Sequence, residues 1–362
     1  MLLRLLGDLI GSLRAPVELD ILRRASELRS RSLHDDAIRL LTTLLEREPD
    51  CLPALMLRGV VKREAGRLHE AIADFTRADS LDPHDEHCIF ELARGWYTLG
   101  DRRLALEYCE RGRRVAPDSA MIFAQLAQIR LGGESYIRLL ARILDYVKPR
   151  TYLEIGVFRG DSLRFAKAPT LAIGIDPKPE LTVPLAANHR VFEETSDAFF
   201  AGHDLRAEFG GLPVDVAFID GMHNFEFALR DFANIERHCT RNSIVLIHDC
   251  YPLDRESAGR APRLVNWSGD IWRLIVLLKK YRPDLSITTV GTPATGLGIV
   301  RNLDPDSRVL FEQHNRLCEE FLALDYSYLD ENMPGKLNLF PNDWGKICID
   351  ILAGAASRHH GT

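Results

Sequence analysis

The sequence predicts two domains: an all-α array of repeats, followed by an α/β domain with a mostly parallel sheet of seven strands. Prolines recur at a spacing of 34 residues in the first third of the chain, at Pro49, Pro83 and Pro117. Seven short apolar runs alternate with other patterns between residues 151 and 301. The first two runs flank a glycine-bearing turn and the second ends in an acid, which is typical of the first half of a nucleotide-binding α/β fold.

The composition is that of an ordinary globular chain. Of the 362 residues, 46% are hydrophobic and 27% are charged, and the length suffices for two domains. The net charge of −6 argues against a nucleic-acid-binding protein with a large basic face. No apolar run approaches the roughly 20 residues that a membrane-spanning helix needs. The seven cysteines form no C-x-x-C pair, so we expect reduced thiols and a cytoplasmic protein.

The leucine-rich start of the chain, residues 1–17, predicts an N-terminal helix with one apolar stripe. Arg4 and Asp8 interrupt the run, which makes it a poor signal peptide. Two interpretations of the stripe remain open. The helix packs on the first repeat, or it binds a membrane surface or a partner protein.

Residues 18–133 predict a repeat array because several positions keep the 34-residue phase, among them Ala37, Ala71 and Ala105. Small residues at these positions let paired helices approach closely. We place repeat units at 18–51, 52–85 and 86–119, with a partial fourth unit beginning at Ser119. This pattern resembles the tetratricopeptide repeat. The resemblance implies either a concave surface for a protein partner or a passive spacer or self-association interface.

Glycines at 132 and 133 punctuate the end of the array, and residues 134–150 predict a linker helix. The α/β domain follows at 151–302, and residues 303–362 predict one helix near 306–324 and an irregular tail. Within the α/β domain we expect a helix after the first glycine-bearing turn. The predicted strands lie near 151–155, 171–175, 189–193, 214–219, 243–248, 286–290 and 297–301.

The turn after the first strand predicts a cofactor site. Gly156 allows a sharp backbone turn and a close approach to a ligand. Asp176 follows about 20 residues later, where such folds place an acid that binds ribose hydroxyls. Phe158 stands where a phosphate-binding signature would have its second glycine, so the turn favours a nucleoside without phosphates.

Acids and histidines end the next two predicted strands. Asp220 follows the fourth strand, with His223 three residues later, while His248 and Asp249 follow the fifth. Because adjacent parallel strands lie about 4.8 Å apart, these side chains can converge. Two carboxylates with one or two imidazoles in a cleft suit a divalent cation.

The motif E-x-G-x-x-x-G, followed by a strand-end Asp, resembles that of class I methyltransferases that use S-adenosylmethionine. More narrowly, residues 151–301 are similar to the branch that includes macrocin-type and mycinamicin-type sugar O-methyltransferases. This narrower resemblance rests on three further runs: FIDGMHNFEFALRDF (218–232), IVLIHDC (244–250) and SGDIWRLIVLLKKYRPDL (268–285).

The resemblance implies roles for individual residues. His223 would be the general base, Asp220 would be a second catalytic residue, and Asp220 with an acidic pair on the next strand would bind Mg²⁺. His248 replaces the first acid of that pair, before Asp249. Because Mg²⁺ prefers oxygen ligands, either substrate oxygens complete the site or Mn²⁺ or another transition metal binds with His248. The implied contacts to S-adenosylmethionine are Glu154, Gly156, Gly160, Asp176, Ser196, Asp197 and Asp220.

The predicted function is metal-assisted O-methylation of a hydroxyl on a sugar or small-molecule natural product. Two alternatives remain: a hydroxylase on the same fold, as in relatives described as cephalosporin hydroxylases, and a non-catalytic repeat scaffold with an inactive cofactor domain. We also expect Ser196 and Asp197 to cap a helix, and Asp270 to cap the helix over 271–281. The stretch 251–266 predicts a mobile flap, and the resemblance implies that the loop 267–270 borders the acceptor pocket.

Overall fold

The structure is a computed structural model that describes residues 16–261 and 267–354. The chain divides into two compact units, Met1–Ile129 and Arg130–Thr362. The predicted N-terminal helix lies almost wholly outside the described residues, as does the end of the predicted flap, residues 262–266. Within the described ranges, no helix is both long enough and apolar enough to cross a membrane.

The described part of the first unit consists of helices that pack against their neighbours along the chain. A left-handed residue ends the turn within each of the first three pairs, with φ of 58° at Ser32, 79° at Gly66 and 87° at Gly100. These three positions are spaced by 34 residues, so the repeat that the sequence predicts is also a repeat in backbone conformation. The helices are α1 (Pro16–Ser30), α2 (His34–Arg47), α3 (Leu52–Glu64), α4 (Leu68–Leu81), α5 (Glu86–Thr98), α6 (Arg102–Val115) and α7 (Ala120–Arg130).

The second unit begins with α8 (Tyr136–Val147), which confirms the linker helix, and continues as an α/β domain. All seven predicted strands are present. They are β1 (Thr151–Ile155), β2 (Leu171–Ile175), β3 (His189–Phe192), β4 (Val214–Ile219), β5 (Cys239–His248), β6 (Ser286–Val290) and β7 (Leu297–Arg301). The helices among them are α9 (Ser196–Gly202), α10 (Leu205–Glu208), α11 (Phe225–Glu236) and α12 (Trp272–Tyr281).

The strands form a single sheet in the order β3-β2-β1-β4-β5-β7-β6-β8, where β8 is Leu339–Phe340. All neighbours pair in parallel except those of β7, which is antiparallel to β5 and β6. The chain runs from β1 outward to β3 and then returns to β4 on the other side of β1. This reversal opens a crevice at the carboxyl ends of β1 and β4, where doubly wound sheets bind their ligands.

The structure differs from the sequence prediction in two places. The predicted tail is not wholly irregular: it contains α13 (Val309–Glu312), α14 (His314–Leu322), α15 (Met333–Lys336), β8 and α16 (Trp344–Lys346). The predicted helix between β1 and β2 is a single 3₁₀ turn, Leu163–Phe165. Ten residues separate Gly160 from Leu171, and Pro169 prevents a helix from continuing through the last of them.

Two apolar cores cover the two faces of the sheet. Helix α8 and the turn around Leu163 pack on one face, next to the strand residues Tyr152 and Phe218. Helices α11, α12 and α14 pack on the other face. Because both faces are covered, β1 and the carboxyl-terminal halves of β4 and β5 are buried.

Candidate functional site

Three neighbouring strands end in register and bring the predicted site residues to one edge of the sheet. Ile155 of β1 pairs with Ile219 of β4, which pairs with Ile247 of β5. The residues that follow in β4 and β5, Asp220 and His248, are therefore neighbours. This register explains how positions 28 residues apart in sequence meet at 2.9 Å, the distance between Asp220 Oδ1 and His248 Nδ1.

Gly156 allows the backbone after β1 to lie directly against the backbone after β4. Its φ is 89°, and a Cβ at this position would overlap the carbonyl oxygen of Asp220. Its N–H donates to the carbonyl of Ile175 at 2.9 Å, which ties the turn to β2. A side chain here would push apart the two strand ends that form the crevice.

Asp176, at the end of β2, organises the glycine turn. One carboxylate oxygen accepts the N–H of Phe158 and the other accepts the N–H of Lys178, each at 2.8 Å. Gly160 closes the same turn with φ of 78°. Each oxygen of Asp176 keeps a second lone pair, so the carboxylate can still accept a ligand hydroxyl.

Glu154 lies inside the domain and is fully buried. One of its oxygens accepts the hydroxyl of Tyr152 and the other accepts the hydroxyl of Ser162, both at 2.6 Å. Burial raises the pKa of Glu154 to about 8, although the two hydroxyl donors favour the charged form. This carboxyl joins β1 to the 3₁₀ turn.

Ser196 and Asp197 begin α9, just beyond β3, but the helix cap is one residue earlier. The side chain of Thr195 accepts the N–H of Ala198, so the capping predicted for Ser196 and Asp197 belongs to Thr195. Asp197 instead forms a 2.6 Å ion pair with Arg230 of α11. Ser196 hydrogen-bonds to Asp231 of α11, a carboxyl whose pKa burial raises to about 7.

Asp249 follows β5 with a left-handed φ of 62° and is 4% exposed. Its Oδ1 accepts the hydroxyl of Thr295, from the turn before β7. Its Oδ2 has no aligned hydrogen bond among the described residues. Two imidazole nitrogens face that oxygen, Nδ1 of His223 at 3.1 Å and Nδ1 of His248 at 3.5 Å.

His223 is the more accessible of the two histidines in this cluster, with 27% of its side chain exposed. Its Nδ1 lies 3.0 Å from the carbonyl oxygen of Trp267, beside the contact to Asp249. Because both neighbouring oxygens only accept, Nδ1 carries a proton, which leaves Nε2 as the ring nitrogen that could take up another. Nε2 lies 3.7 Å from Oδ1 of Asp220.

The loop Trp267–Asp270 holds His223 in place. The indole of Trp267 stacks on the imidazole, with ring centroids 5.2 Å apart. A Cβ at Gly269 would overlap the carbonyl oxygen of His223, so this loop lies against the backbone there. Asp270, fully buried, accepts the N–H of Phe225 at 2.8 Å. It therefore caps α11, and the prediction that it caps the following helix is wrong, because α12 has no side-chain cap.

Sequence reasoning missed two residues of the cluster, Tyr136 and Thr295. The ring of Tyr136 stacks on that of His248, with centroids 3.7 Å apart. Burial, helped by the charges of Asp220 and Asp249, raises the pKa of the Tyr136 hydroxyl above its usual range. Tyr136 begins a helix before the sheet and Thr295 sits in a turn between strands, so neither belongs to a strand-end pattern that the sequence displays.

The carboxylates offer part of a cation site. Single ligand atoms of Asp220, His223 and Asp249 lie within 4.8 Å of one another, and Oδ2 of Asp249 is buried without a hydrogen bond among the described residues. However, Nδ1 of His248 donates to Asp220 at 2.9 Å and points between both carboxylates. A divalent ion placed there would face this N–H. With His248 in this position the donor set does not fit a divalent metal, and we derive no step through one.

The crevice fits an amphipathic nucleoside ligand better. Asp176 offers free carboxylate lone pairs at the end of β2. Two large apolar side chains near the strand ends are exposed, Phe158 by 55% and Met222 by 58%. Exposed apolar groups beside a polar crevice are typical of a surface that a ligand covers.

Comparisons with known proteins identify the two regions. Residues 153–250 match the family model of a methyltransferase domain, and residues 22–86 match that of the tetratricopeptide repeat. No curated protein matches the chain.

Solved structures are similar at low identity. One is MamA, with 15% identity and a TM-score of 0.31, over 45% of this chain and 81% of that one. Another is the O-methyltransferase TomG of Streptomyces achromogenes, involved in tomaymycin synthesis and solved with S-adenosylmethionine, with 17% identity and a TM-score of 0.37, over 46% and 79%. A third is a proposed O-methyltransferase of Klebsiella pneumoniae, with 13% identity and a TM-score of 0.34, over 50% and 88%. The chain joins a helical tetratricopeptide-repeat region to an α/β domain of the methyltransferase type, with a mainly parallel sheet.

Proposed function

We propose that the chain is an S-adenosylmethionine-dependent methyltransferase that acts on a hydroxyl group of a small molecule. The observation that carries the proposal is the position of His223. Its Nδ1 lies 3.0 Å from the carbonyl oxygen of Trp267 and 3.1 Å from Oδ2 of Asp249, and its Nε2 lies 3.7 Å from Oδ1 of Asp220. A positioned, part-exposed imidazole is suited to removing a hydroxyl proton.

In this proposal the cofactor lies over the ends of β1 and β2. Asp176 would accept its ribose hydroxyls, and the turn from Gly156 to Gly160 would border its methionine part. S-adenosylmethionine, when bound, supplies an electrophilic methyl group. Ser196 and Asp197 remain proposed neighbours of the adenine, at the end of β3. Glu154 would act indirectly, because its two oxygens already hold hydroxyl groups of the protein.

The residues of the cluster would divide the proton chemistry between them. Nε2 of His223 takes the proton of the acceptor hydroxyl, and the imidazolium that results is stabilised by Asp249 at 3.1 Å and Asp220 at 3.7 Å. Asp220 would also bind the acceptor or the cofactor. Trp267 keeps the ring in the orientation that directs Nε2 to the crevice. Such positioning contributes more than the charge alone, since misplacing the base by 1 Å can cost about 100-fold in rate.

For the acceptor we propose a sugar or another small natural product with a free hydroxyl. Trp267 lies against His223 and offers an aromatic wall, and Met222, next to His223 in sequence, is exposed. Flat aromatic faces and apolar side chains beside a few polar groups are typical of small-molecule sites. We further propose that the repeat array binds a protein partner or a second copy of the chain. The seven free thiols are consistent with a cytoplasmic location, which we retain as part of the proposal.

The test combines binding with transfer. Calorimetric titration with S-adenosylmethionine measures cofactor binding by the wild-type chain and by Asp176→Ala. Incubation with methyl-labelled cofactor and a panel of sugars, glycosides and phenols then measures label transfer and S-adenosylhomocysteine release. We expect binding that weakens in Asp176→Ala and transfer to at least one hydroxyl class that is lost in His223→Ala.

Absence of cofactor binding in the wild-type chain would contradict the proposal and favour the repeat-scaffold alternative. A product that gains an oxygen atom in place of a methyl group would favour the hydroxylase alternative. The matched control is His203→Ala, because His203 also lies between two acids, Glu194 at 2.9 Å and Glu208 at 3.3 Å, but outside the cluster of Asp220 and Asp249. We expect this variant to keep both binding and transfer.

A further inference from the structure

His248 is the more buried of the two histidines in the carboxylate cluster. Its side chain is 9% exposed, and the ring of Tyr136 covers one face. Around its edge lie Asp220, at the end of β4, Asp249, next to it in the chain, and Thr295, from the turn before β7. His223 is the remaining titratable group that faces the same carboxylates.

The first ring nitrogen must carry a proton. Nδ1 of His248 lies 2.9 Å from Oδ1 of Asp220 and 3.5 Å from Oδ2 of Asp249. An ionised carboxylate has no proton to give and can only accept. Nδ1 is therefore an N–H donor, and it lacks the lone pair that a metal ligand needs.

The second ring nitrogen has a different neighbour. Nε2 of His248 lies 3.5 Å from the hydroxyl oxygen of Thr295. That hydroxyl has one proton, and it donates this proton to Oδ1 of Asp249. Thr295 therefore gives no proton to His248, and the ring is anchored to the acids through Nδ1.

The charges of the cluster agree with this assignment. The Asp249 side chain is 5% exposed and that of Asp220 is 17% exposed, and a carboxylate taken out of water is costly unless a partner faces it. Although burial lowers the pKa of His248, the charges of Asp249 and Asp220 raise it to about 9. The ring of His248 also faces Oδ2 of Asp249, the oxygen that has no aligned hydrogen bond among the described residues.

We propose that the Nδ1–H of His248 occupies the place between the two carboxylates in which a divalent metal would otherwise bind. His248 is then a positioning residue that acts through Asp220 and Asp249. The proposal concerns metal affinity, so it stands apart from whether the chain transfers methyl groups.

The experiment measures Mn²⁺ binding by electron paramagnetic resonance and calorimetry, on full-length chain stripped with a chelator. Wild type is compared with His248→Asp, His248→Asn, Asp220→Asn and the double variant His248→Asp/Asp220→Asn. In His248→Asp the ring N–H is replaced by a third carboxylate, and three carboxylates make a cation site of hard oxygen ligands. We expect Mn²⁺ to bind His248→Asp at least roughly tenfold more tightly than wild type, because a hydrogen-bond donor becomes an oxygen ligand. The gain should disappear in the double variant.

The matched control is His203→Asp, which also adds an acid beside two acids, Glu194 and Glu208, at a site whose histidine side chain is 31% exposed. We expect it to gain much less Mn²⁺ affinity, since water competes at an exposed site. His248→Asn keeps a neutral side chain and covers the case in which His248→Asp does not fold; it too should bind Mn²⁺ more tightly than wild type. Circular dichroism confirms the fold of each variant.

Tight Mn²⁺ binding by the wild-type chain that is lost in Asp220→Asn would overturn the proposal, because it would show that the cluster accepts a metal with His248 in place. Equal Mn²⁺ affinity in wild type, His248→Asp and His248→Asn, with all three folded, would overturn it as well. These outcomes are independent of methyl transfer. If the wild-type chain transfers methyl groups and also binds Mn²⁺ at this cluster, the present proposal is wrong and the proposed function stands.

Discussion

The carboxyl edge of the sheet contains two acidic groups whose partners differ. At β1, Glu154 is surrounded by hydroxyl groups of Tyr152 and Ser162. At β4 and β5, Asp220 and Asp249 are surrounded by imidazoles. The two groups share one edge of one sheet, yet only the second contacts side chains that can carry a positive charge.

The difference shows how the partner decides the chemistry of a buried acid. Neutral hydroxyls cannot offset the loss of water, so burial raises the pKa of Glu154 to about 8 and the group keeps its proton at neutral pH. Beside Asp220 and Asp249 the proton resides on the imidazole, and the pKa of His248 is raised to about 9. The first arrangement joins parts of the fold, while the second maintains ionised carboxylates next to a base. Substitutions in each group should therefore have different consequences.

The largest effect is expected for His223→Ala. Loss of a general base typically reduces a rate by about 10²–10⁴-fold, and we expect methyl transfer to fall in that range. Cofactor affinity should stay within about threefold of wild type, because no cofactor contact is proposed for this ring. The measurement is single-turnover label transfer with the best acceptor of the panel. If the rate of methyl transfer falls by less than about threefold, the cluster around Asp220 and Asp249 has a structural role, as Glu154 does. The two acidic groups would then not differ in function.

Glu154→Gln should change how stability depends on pH. The folded-state pKa of Glu154 is raised from 4.5 to about 8, so its contribution to stability is full below about 4.5 and is lost as pH rises through 8. Across this window the wild-type free energy of unfolding should fall, relative to Glu154→Gln, by at most about 1.4 kcal/mol per pH unit. Urea denaturation of both proteins at pH 5, 6, 7 and 8 (roughly spanning the window) gives the difference.

The difference between the two proteins isolates this carboxyl, because Asp231 and His248 are the same in both. A difference that does not change with pH would mean that Glu154 is ionised in the folded chain. The contrast with the aspartate pair would then disappear, since both groups would bury charge.

Asp176→Ala should weaken cofactor binding by about 10-fold to 100-fold, because a charged group that makes several hydrogen bonds contributes about 1.5–3 kcal/mol. The substitution removes the acceptor for the N–H groups of Phe158 and Lys178 together with the proposed ribose contact. Asp176→Asn separates the two roles, because its single amide oxygen can satisfy one of these N–H groups. If both variants bind S-adenosylmethionine as tightly as wild type, the cofactor does not contact the end of β2.

Much of this site could be predicted from the sequence because strand ends are encoded locally. Apolar runs mark where β1, β4 and β5 end, and the parallel register then brings Asp220 and His248 together. The residues that surround Asp220 and His248 cannot be predicted from a local sequence pattern. Tyr136 and Thr295 reach the cluster from a preceding helix and from a turn, and their contacts depend on how loops pack in three dimensions.

Asp270 illustrates the same limit. Its position before an apolar helix predicts a cap for that helix, since capping preferences are local. In the folded chain its carboxylate instead accepts the N–H of Phe225, 45 residues earlier in sequence. Tertiary packing presents a better donor than the adjacent helix does, and sequence spacing carries no information on that choice.

The smallest effect is expected for Thr295→Val, which tests whether the hydrogen bonds of the charged group stabilise it. Valine has nearly the same shape but leaves Oδ1 of Asp249 without its donor, and an unsatisfied buried acceptor costs about 1–2 kcal/mol. Thr289→Val is the matched control, because the hydroxyl of Thr289 is buried with no partner among the described residues. Its removal should leave the free energy of unfolding unchanged or raise it. Urea denaturation distinguishes the cases: equal losses in both variants would trace the effect to packing at threonine sites, whereas a loss confined to Thr295→Val shows that Asp249 depends on its donor.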